Sequence, residues 1–143
     1  MKLSHESVEL VEPEHLHAVR VFYEHVGYGG GVQATDQVLV IRHGQQIVAA
    51  VRLCKEHGIL VLRGMFVDSE YQRQGYGVRL LESAAIVIGA AECWCVPHAH
   101  LVQFYSRAGF REQEVDSIPG FLVERQAQYE RNGYPVSVMQ RTA

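Results

Sequence analysis

Apolar positions along the chain switch between the alternating spacing of strands and the 3.6-residue spacing of helices. Val8 to Val11 reads as a first strand. Pro13 opens a helix, because proline suits the first helical position. Leu16, Val19, Phe22, Tyr23 and Val26 carry that helix as far as His25 or Val26. Gly27-Tyr28-Gly29-Gly30-Gly31 cannot continue it and predicts a loop with freedom to move. Gln37 to Arg42 and Gln46 to Cys54 read as two strands joined by the hairpin signal His43-Gly44. A tight turn, Lys55-Glu56-His57-Gly58, leads to a fourth strand, Ile59 to Val67, whose apolar run marks it as central. Gly77 to Ala90 predicts a helix that buries Leu80, Leu81, Ala84, Ala85 and Ile88. Glu92 to Val96 is a fifth strand, ended by Pro97. Leu101, Phe104, Tyr105 and Ala108 mark a short helix closed by Gly109. Pro119-Gly120 signals a turn. Glu124 to Arg131 reads as a helical turn or an irregular insertion, and Pro135 to Gln140 as a last strand.

The junction between the fourth strand and the next helix carries the chemistry. The strand ends at Val67, a polar turn Asp68-Ser69-Glu70 follows, and Gln72-Arg73-Gln74-Gly75-Tyr76-Gly77 runs directly into the helix. Two glycines at alternate positions let the backbone curl and aim free N–H groups at one point. That point lies at the positive end of the helix dipole, so the turn suits a pyrophosphate, with Arg73 as an added cation. A Walker loop would need a lysine after Gly77, and none follows. A dinucleotide fingerprint would need a third glycine where Leu80 stands.

Gln72-x-x-Gly75-x-Gly77 after a strand resembles the acetyl-CoA signature of the GCN5-related N-acetyltransferases (GNAT). The resemblance continues after the fifth strand, where the family carries Asn-x-x-Ala-x-x-x-Tyr-x-x-x-Gly-Phe. Here Tyr105, Gly109 and Phe110 match, while His98 stands for the Asn and Leu101 for the Ala. The similarity covers roughly Gln37 to Phe110 in pattern. It implies an α/β (α+β) GNAT-like fold: a mixed, mostly antiparallel sheet of about six or seven strands flanked by helices, with residues 1–143 forming one acetyltransferase domain.

It also implies a reaction, the direct transfer of acetyl from acetyl-CoA to an amine. Met65, Phe66 and Val67 would supply backbone N–H groups to the oxyanion and pair with the pantetheine arm where the fourth and fifth strands splay apart. Gln72, Arg73, Gln74, Gly75, Tyr76, Gly77 and Val78 would hold the pyrophosphate. Tyr105 would protonate the leaving thiolate. Relatives often place a glutamate on the fifth strand as base, but that position is Cys93, and the adjacent Glu92 points to the other face. His98 is the candidate base or relay, and equally a polar stand-in for the Asn. His57, Asp68, Glu124 and Glu130 are candidates without positional support. The acceptor is a small-molecule amine or a protein amino group. Two other readings are a non-catalytic CoA-binding regulatory module and a protein-interaction domain that kept the fold.

Composition narrows the partners. A chain of 143 residues, 48% hydrophobic, suffices for one core. Net charge −3 without a basic block argues against nucleic acid. No apolar run approaches the roughly 20 residues of a membrane span, and Met1 to Glu6 lacks the apolar core of a signal peptide. Cys54, Cys93 and Cys95 include no CxxC pair and read as reduced thiols in a cytoplasmic protein. Eight histidines offer no zinc spacing, so no metal is expected. A homodimer through the C-terminal strands would fit the family.

Overall fold

The computed structural model describes residues 8–142, so the reading of Met1 to Glu6 falls outside the described residues. The chain divides into two compact units, one ending at Gly89 and the other beginning at Ala90.

The first unit is a four-stranded antiparallel sheet in the order β1 (Val8–Leu10), β2 (Gln37–His43), β3 (Gln46–Glu56) and β4 (Ile59–Val67). Pro13 opens a single 3-10 turn, Pro13–His15, and helix α1 follows at Leu16–Val26. The apolar side of α1 is the predicted one. Leu16, Val19, Phe22 and Tyr23 pack with Val38, Val40, Ile47 and Ala50 on one sheet face. Strand alternation turns Leu39 and Ile41, both fully buried, to the other face. Helix α2 (Tyr76–Ile88) lies against the strands there and buries Leu80, Leu81, Ser83, Ala84 and Ile88. It is shorter than predicted by two residues at its end, because Gly89 leaves helical geometry at φ 59°. Ala85 is only half-buried, and Ser83 takes the inward position instead.

Two irregularities shape β4 and its neighbour. Ala50 pairs with Phe66 but Arg52 pairs with Arg63, so Val51 alone faces Gly64 and Met65. This is a β-bulge whose first residue, Gly64, has φ 67°. In β3 the register with β2 shifts between Ile41 and Arg42, leaving Val48 as the extra residue. The Val48 carbonyl accepts the Asp68 N–H at 2.8 Å, which carries the ladder one step beyond β4.

The glycine-rich segment after α1 is pinned, contrary to the expectation that it moves. Arg52, 2% exposed on β3, donates to the Gly31 carbonyl, to Asp36 Oδ2 at 2.9 Å and to the Tyr28 hydroxyl at 2.7 Å. The Asp36 carboxylate also accepts the Gln33 N–H at 2.9 Å. A buried guanidinium must find acceptors, and the loop supplies them.

The second unit is a three-stranded antiparallel sheet in the order β5 (Cys93–Cys95), β7 (Met139–Arg141) and β6 (Arg111–Glu112). A 3-10 turn, Ala99–Leu101, leads into α3 (Val102–Ser106). The last strand starts four residues later than its predicted start at Pro135. Residues 135–137 instead run beside the exit of β5, with Val136 bridged to His98, Ala99 N–H on the Pro135 carbonyl and Ser137 N–H on that of Pro97. The segment read as a helical turn or an irregular insertion is a full helix, α4 (Gly120–Arg131), that begins at the expected Pro-Gly turn. Among the described residues the two units contain seven strands, and every pairing given above is antiparallel.

Candidate functional site

The turn after β4 is built on a buried aspartate. Asp68 Oδ1 accepts the Glu70 N–H at 3.1 Å, starting a 3-10 turn, Ser69–Tyr71. Its other oxygen, Oδ2, lies 3.0 Å from His25 Nε2 on α1. The sequence offered Asp68 as a possible base. The structure commits its carboxylate to these two partners. Gln72 Nε2 donates to the Val67 carbonyl at 3.1 Å, tying the loop back to its own strand.

Beyond Gln72 the backbone curls. Arg73 has φ 64° and Gly75 has φ 85°, with Gln74 between them. Changes of backbone handedness over successive residues turn N–H groups into a common concavity that attracts anions. Arg73 adopts this conformation without being a glycine, a mark of local strain. No side chain caps α2, and its first internal bond runs from Arg79 N–H to the Gly75 carbonyl. The N–H groups of Tyr76, Gly77 and Val78 therefore lack intrahelical acceptors. Arg73, Gln74 and Gly75 are exposed, and Tyr76, Gly77 and Val78 are half-buried. The loop residues picked from the sequence thus form one continuous curled turn that ends in the uncapped start of α2. The sequence reading missed a row of rings beside it: His43 and Tyr71 at 5.3 Å, Tyr71 and Tyr76 at 6.3 Å, and the Arg79 guanidinium 4.5 Å from the Tyr76 ring centre.

Met65 is the second residue of the bulge, Phe66 and Val67 follow it, and all three are half-buried. Tyr23, from α1, donates its hydroxyl to the Gly64 carbonyl at 2.8 Å. The Phe66 ring packs on Tyr28 at 5.1 Å and edge-on to Tyr23 at 6.4 Å. The signal for the bulge was present as a lone glycine inside an apolar strand. Nothing local in the sequence pointed to Tyr23.

In the second unit Tyr105 is 6% exposed on α3, edge-on to Phe104 and Phe110. Burial, helped by nearby Cys95, pushes its phenol well above the usual value, so it stays a donor at any physiological pH. His98 is exposed at the start of the 3-10 turn, and its ring neighbours are His100 and Tyr134, each at 5.8 Å. Cys93 and Cys95 are buried, and burial raises the Cys95 thiol. Among the described residues no three His, Cys, Asp or Glu side chains group as metal ligands. No helix among them is long and apolar enough to cross a membrane.

Residues 34–112, more than half of the chain, match the family described as Acetyltransferase (GNAT) domain. The chain belongs to the GNAT acetyltransferase family. Solved GNAT-like structures share its fold. An acyl-CoA N-acyltransferase from Pseudomonas aeruginosa aligns with a TM-score of 0.67 at 18% identity, over 94% of this chain and 99% of its own. ElaA from Escherichia coli aligns with a TM-score of 0.67 at 14% identity, over 94% and 97%. N-acetylglutamate synthase from Neisseria gonorrhoeae, complexed with coenzyme A and N-acetyl-glutamate, aligns with a TM-score of 0.63 at 17% identity. That alignment covers 96% of this GNAT chain but 35% of the synthase. At such identities the likeness is one of fold. A search of curated proteins finds no match to the sequence.

Proposed function

We propose that the chain transfers an acetyl group from acetyl-CoA to the amino group of a small molecule or a protein. The observation that carries this reading is the curled, uncapped turn Gln72–Val78 after a bulged strand. Its Tyr76, Gly77 and Val78 N–H groups have no intrahelical acceptors and Arg73 adds a cation in the same loop, a set suited to a diphosphate. Membership of the GNAT family supports it, as does the coenzyme A held by a neighbour of the same fold. The family match crosses the junction between Gly89 and Ala90, which supports the two units working as one acetyltransferase domain.

In this reading the neutral amine attacks the thioester carbon, the carbon–sulfur bond breaks, and the thiolate leaves. Backbone N–H groups of Met65, Phe66 or Val67 stabilise the developing oxyanion. Tyr105 protonates the thiolate. His98, exposed at the start of the turn after β5, is the candidate to take the ammonium proton. Three buried reduced thiols suit a cytoplasmic setting.

A melting scan with acetyl-CoA, followed by thiol-release assays over a panel of amines, tests the reading. A ligand at 100 times its Kd stabilises the native state by about 2.7 kcal/mol. A raised melting temperature with turnover on at least one amine is expected. Binding without turnover would favour the regulatory module, for which the Cys93 position is the specific argument. No binding would favour the interaction domain.

A further inference from the structure

The last turn of α1 is fastened to β4 at two points. Tyr23 binds Gly64 at the bulge, and His25 binds Asp68 just past the strand's end. The segment between those points, Met65 to Val67, is the one assigned to the acetyl carbonyl. The upper fastening lies on the bulge itself. A Cβ built on Gly64 would lie 2.8 Å from the Tyr23 hydroxyl and 3.1 Å from the Tyr28 ring, so strand and tyrosine are in close contact. A bulge adds local twist and re-aims the residues after it. It cannot simply anneal, because a one-residue slip would turn every later side chain to the wrong face. Something must hold the extra residue in place, and the Gly64 carbonyl has Tyr23 to do so.

We propose that Tyr23 is a positioning residue for acetyl transfer: its hydroxyl fixes the Gly64–Met65 bulge and thereby aims the Met65–Val67 backbone at the thioester carbonyl. The proposal rests on the acetyl-transfer reading above. Tyr23 is suited to a constant role. Burial, with Tyr28 beside it, keeps its phenol protonated far into the alkaline range, so the donor is never lost to titration. Its ring is held independently of the hydroxyl, by Tyr28 at 4.6 Å and Phe22 at 5.7 Å. Removing the oxygen alone should therefore leave the core in place.

Tyr23→Phe tests this, read by turnover, by acetyl-CoA affinity and by the infrared carbonyl stretch of bound acetyl-CoA labelled with carbon-13. The expected result is a kcat about tenfold lower, a KM and Kd for acetyl-CoA within about twofold of wild type, and a weaker red-shift of the carbonyl stretch. A merely structural role would not single out the carbonyl stretch. Gly64→Ala approaches the same contact from the strand side, keeping the hydroxyl but crowding it at a left-handed position. It should lose the same red-shift. If wild type shifts the stretch and both variants match it in stretch and kcat, the proposal alone is overturned. If wild type binds acetyl-CoA without shifting the stretch and acetylates no amine, the transfer reading falls and this proposal with it.

Discussion

The carboxylate of Asp68, 3% exposed, lies 3.0 Å from the imidazole of His25, which is 60% exposed. The two members of this pair have unequal duties. Asp68 also starts the turn that leads into the glycine loop before α2, through the Glu70 N–H. Asp68→Ala strands that donor and removes a cap, costing about 1–3 kcal/mol. At about 4 °C per kcal/mol, the melting temperature should fall by several degrees. Acetyl-CoA affinity should drop with it if the proposed pyrophosphate loop is right, because that loop loses its fixed start. His25→Ala removes a largely exposed partner and should cost about 0–1 kcal/mol. Thermal melts and calorimetry of the two variants decide the point. Equal losses would mean that the pair, not the turn, is what matters.

The two loop glycines make different experiments. Gly75 has φ 85°, so any side chain there strains the backbone as well as crowding a ligand. Gly77 sits in the first turn of α2 and has no left-handed φ. Gly77→Val should therefore weaken acetyl-CoA binding by about tenfold or more while the fold loses under about 1 kcal/mol. Calorimetry alongside urea unfolding separates the two. Unchanged affinity in a folded Gly77→Val protein would remove the pyrophosphate assignment.

The strand–turn–helix junction was legible in the sequence because its signals are local. Strand, polar turn, alternate glycines and helix all fall between Ile59 and Ile88. Arg52 was not legible in the same way. Its partners Tyr28, Gly31 and Asp36 lie 16 to 24 residues away, and only the sheet register brings them together. Helix α4 was undercounted because Phe121, Leu122 and Val123 cluster in its first turn, with only Leu122 fully buried. Such a helix shows no apolar stripe to count. The last strand was placed early because Pro135 to Val138 has strand-like composition. Pro135 and Ser137 bond to the chain after β5 rather than continuing the ladder, and Val136 has an isolated bridge to His98.

The Arg52–Asp36 pair, with both side chains 3% exposed, predicts a large effect of breaking it from one side. Asp36→Ala leaves the buried guanidinium without its counter-charge and should destabilise by about 3–5 kcal/mol. The segment from Tyr28 to Asp36 should then exchange its amide hydrogens faster than in wild type. Adding Arg52→Met to Asp36→Ala should recover part of the loss, since the uncompensated charge goes as well. Urea midpoints for the three proteins check this. A double variant no more stable than Asp36→Ala alone would show that Arg52 serves the loop chiefly through its other acceptors.

Buried acids set the response to alkali. Burial pushes the Cys54 thiol up to about 12, and the Cys95 thiol and the phenols of Tyr23 and Tyr105 are raised as well. Unfolded thiols titrate near about 8.5. Below that value both states hold their protons and these groups do not affect stability. Above it the unfolded state loses protons first, so stability falls as pH rises from about 8.5 toward 12. Urea midpoints at rising pH should decline through that window. The three thiols should also resist alkylation at pH 8 in the native protein and react once it is unfolded. A native protein alkylated as fast as the unfolded one would contradict the burial on which both outcomes rest.

Tyr105 carries the last expectation. A phenol is a weak acid beside a thiol, and burial weakens it further. The leaving thiol would be raised by the same dry surroundings, so the two stay matched enough for a proton to pass. Tyr105→Phe keeps the edge-on packing against Phe104 and Phe110 and removes only the donor. Turnover should fall on the order of 10²-fold, with acetyl-CoA affinity nearly unchanged. The wild-type profile should also show no descending limb from this residue below about pH 10, because the phenol is still protonated there. Rates at saturating acceptor across pH, for both proteins, make the comparison. Wild-type turnover in the Phe variant would leave Tyr105 as core packing. A descending limb near pH 8 that disappears in the variant would place its ionisation far lower than its burial allows.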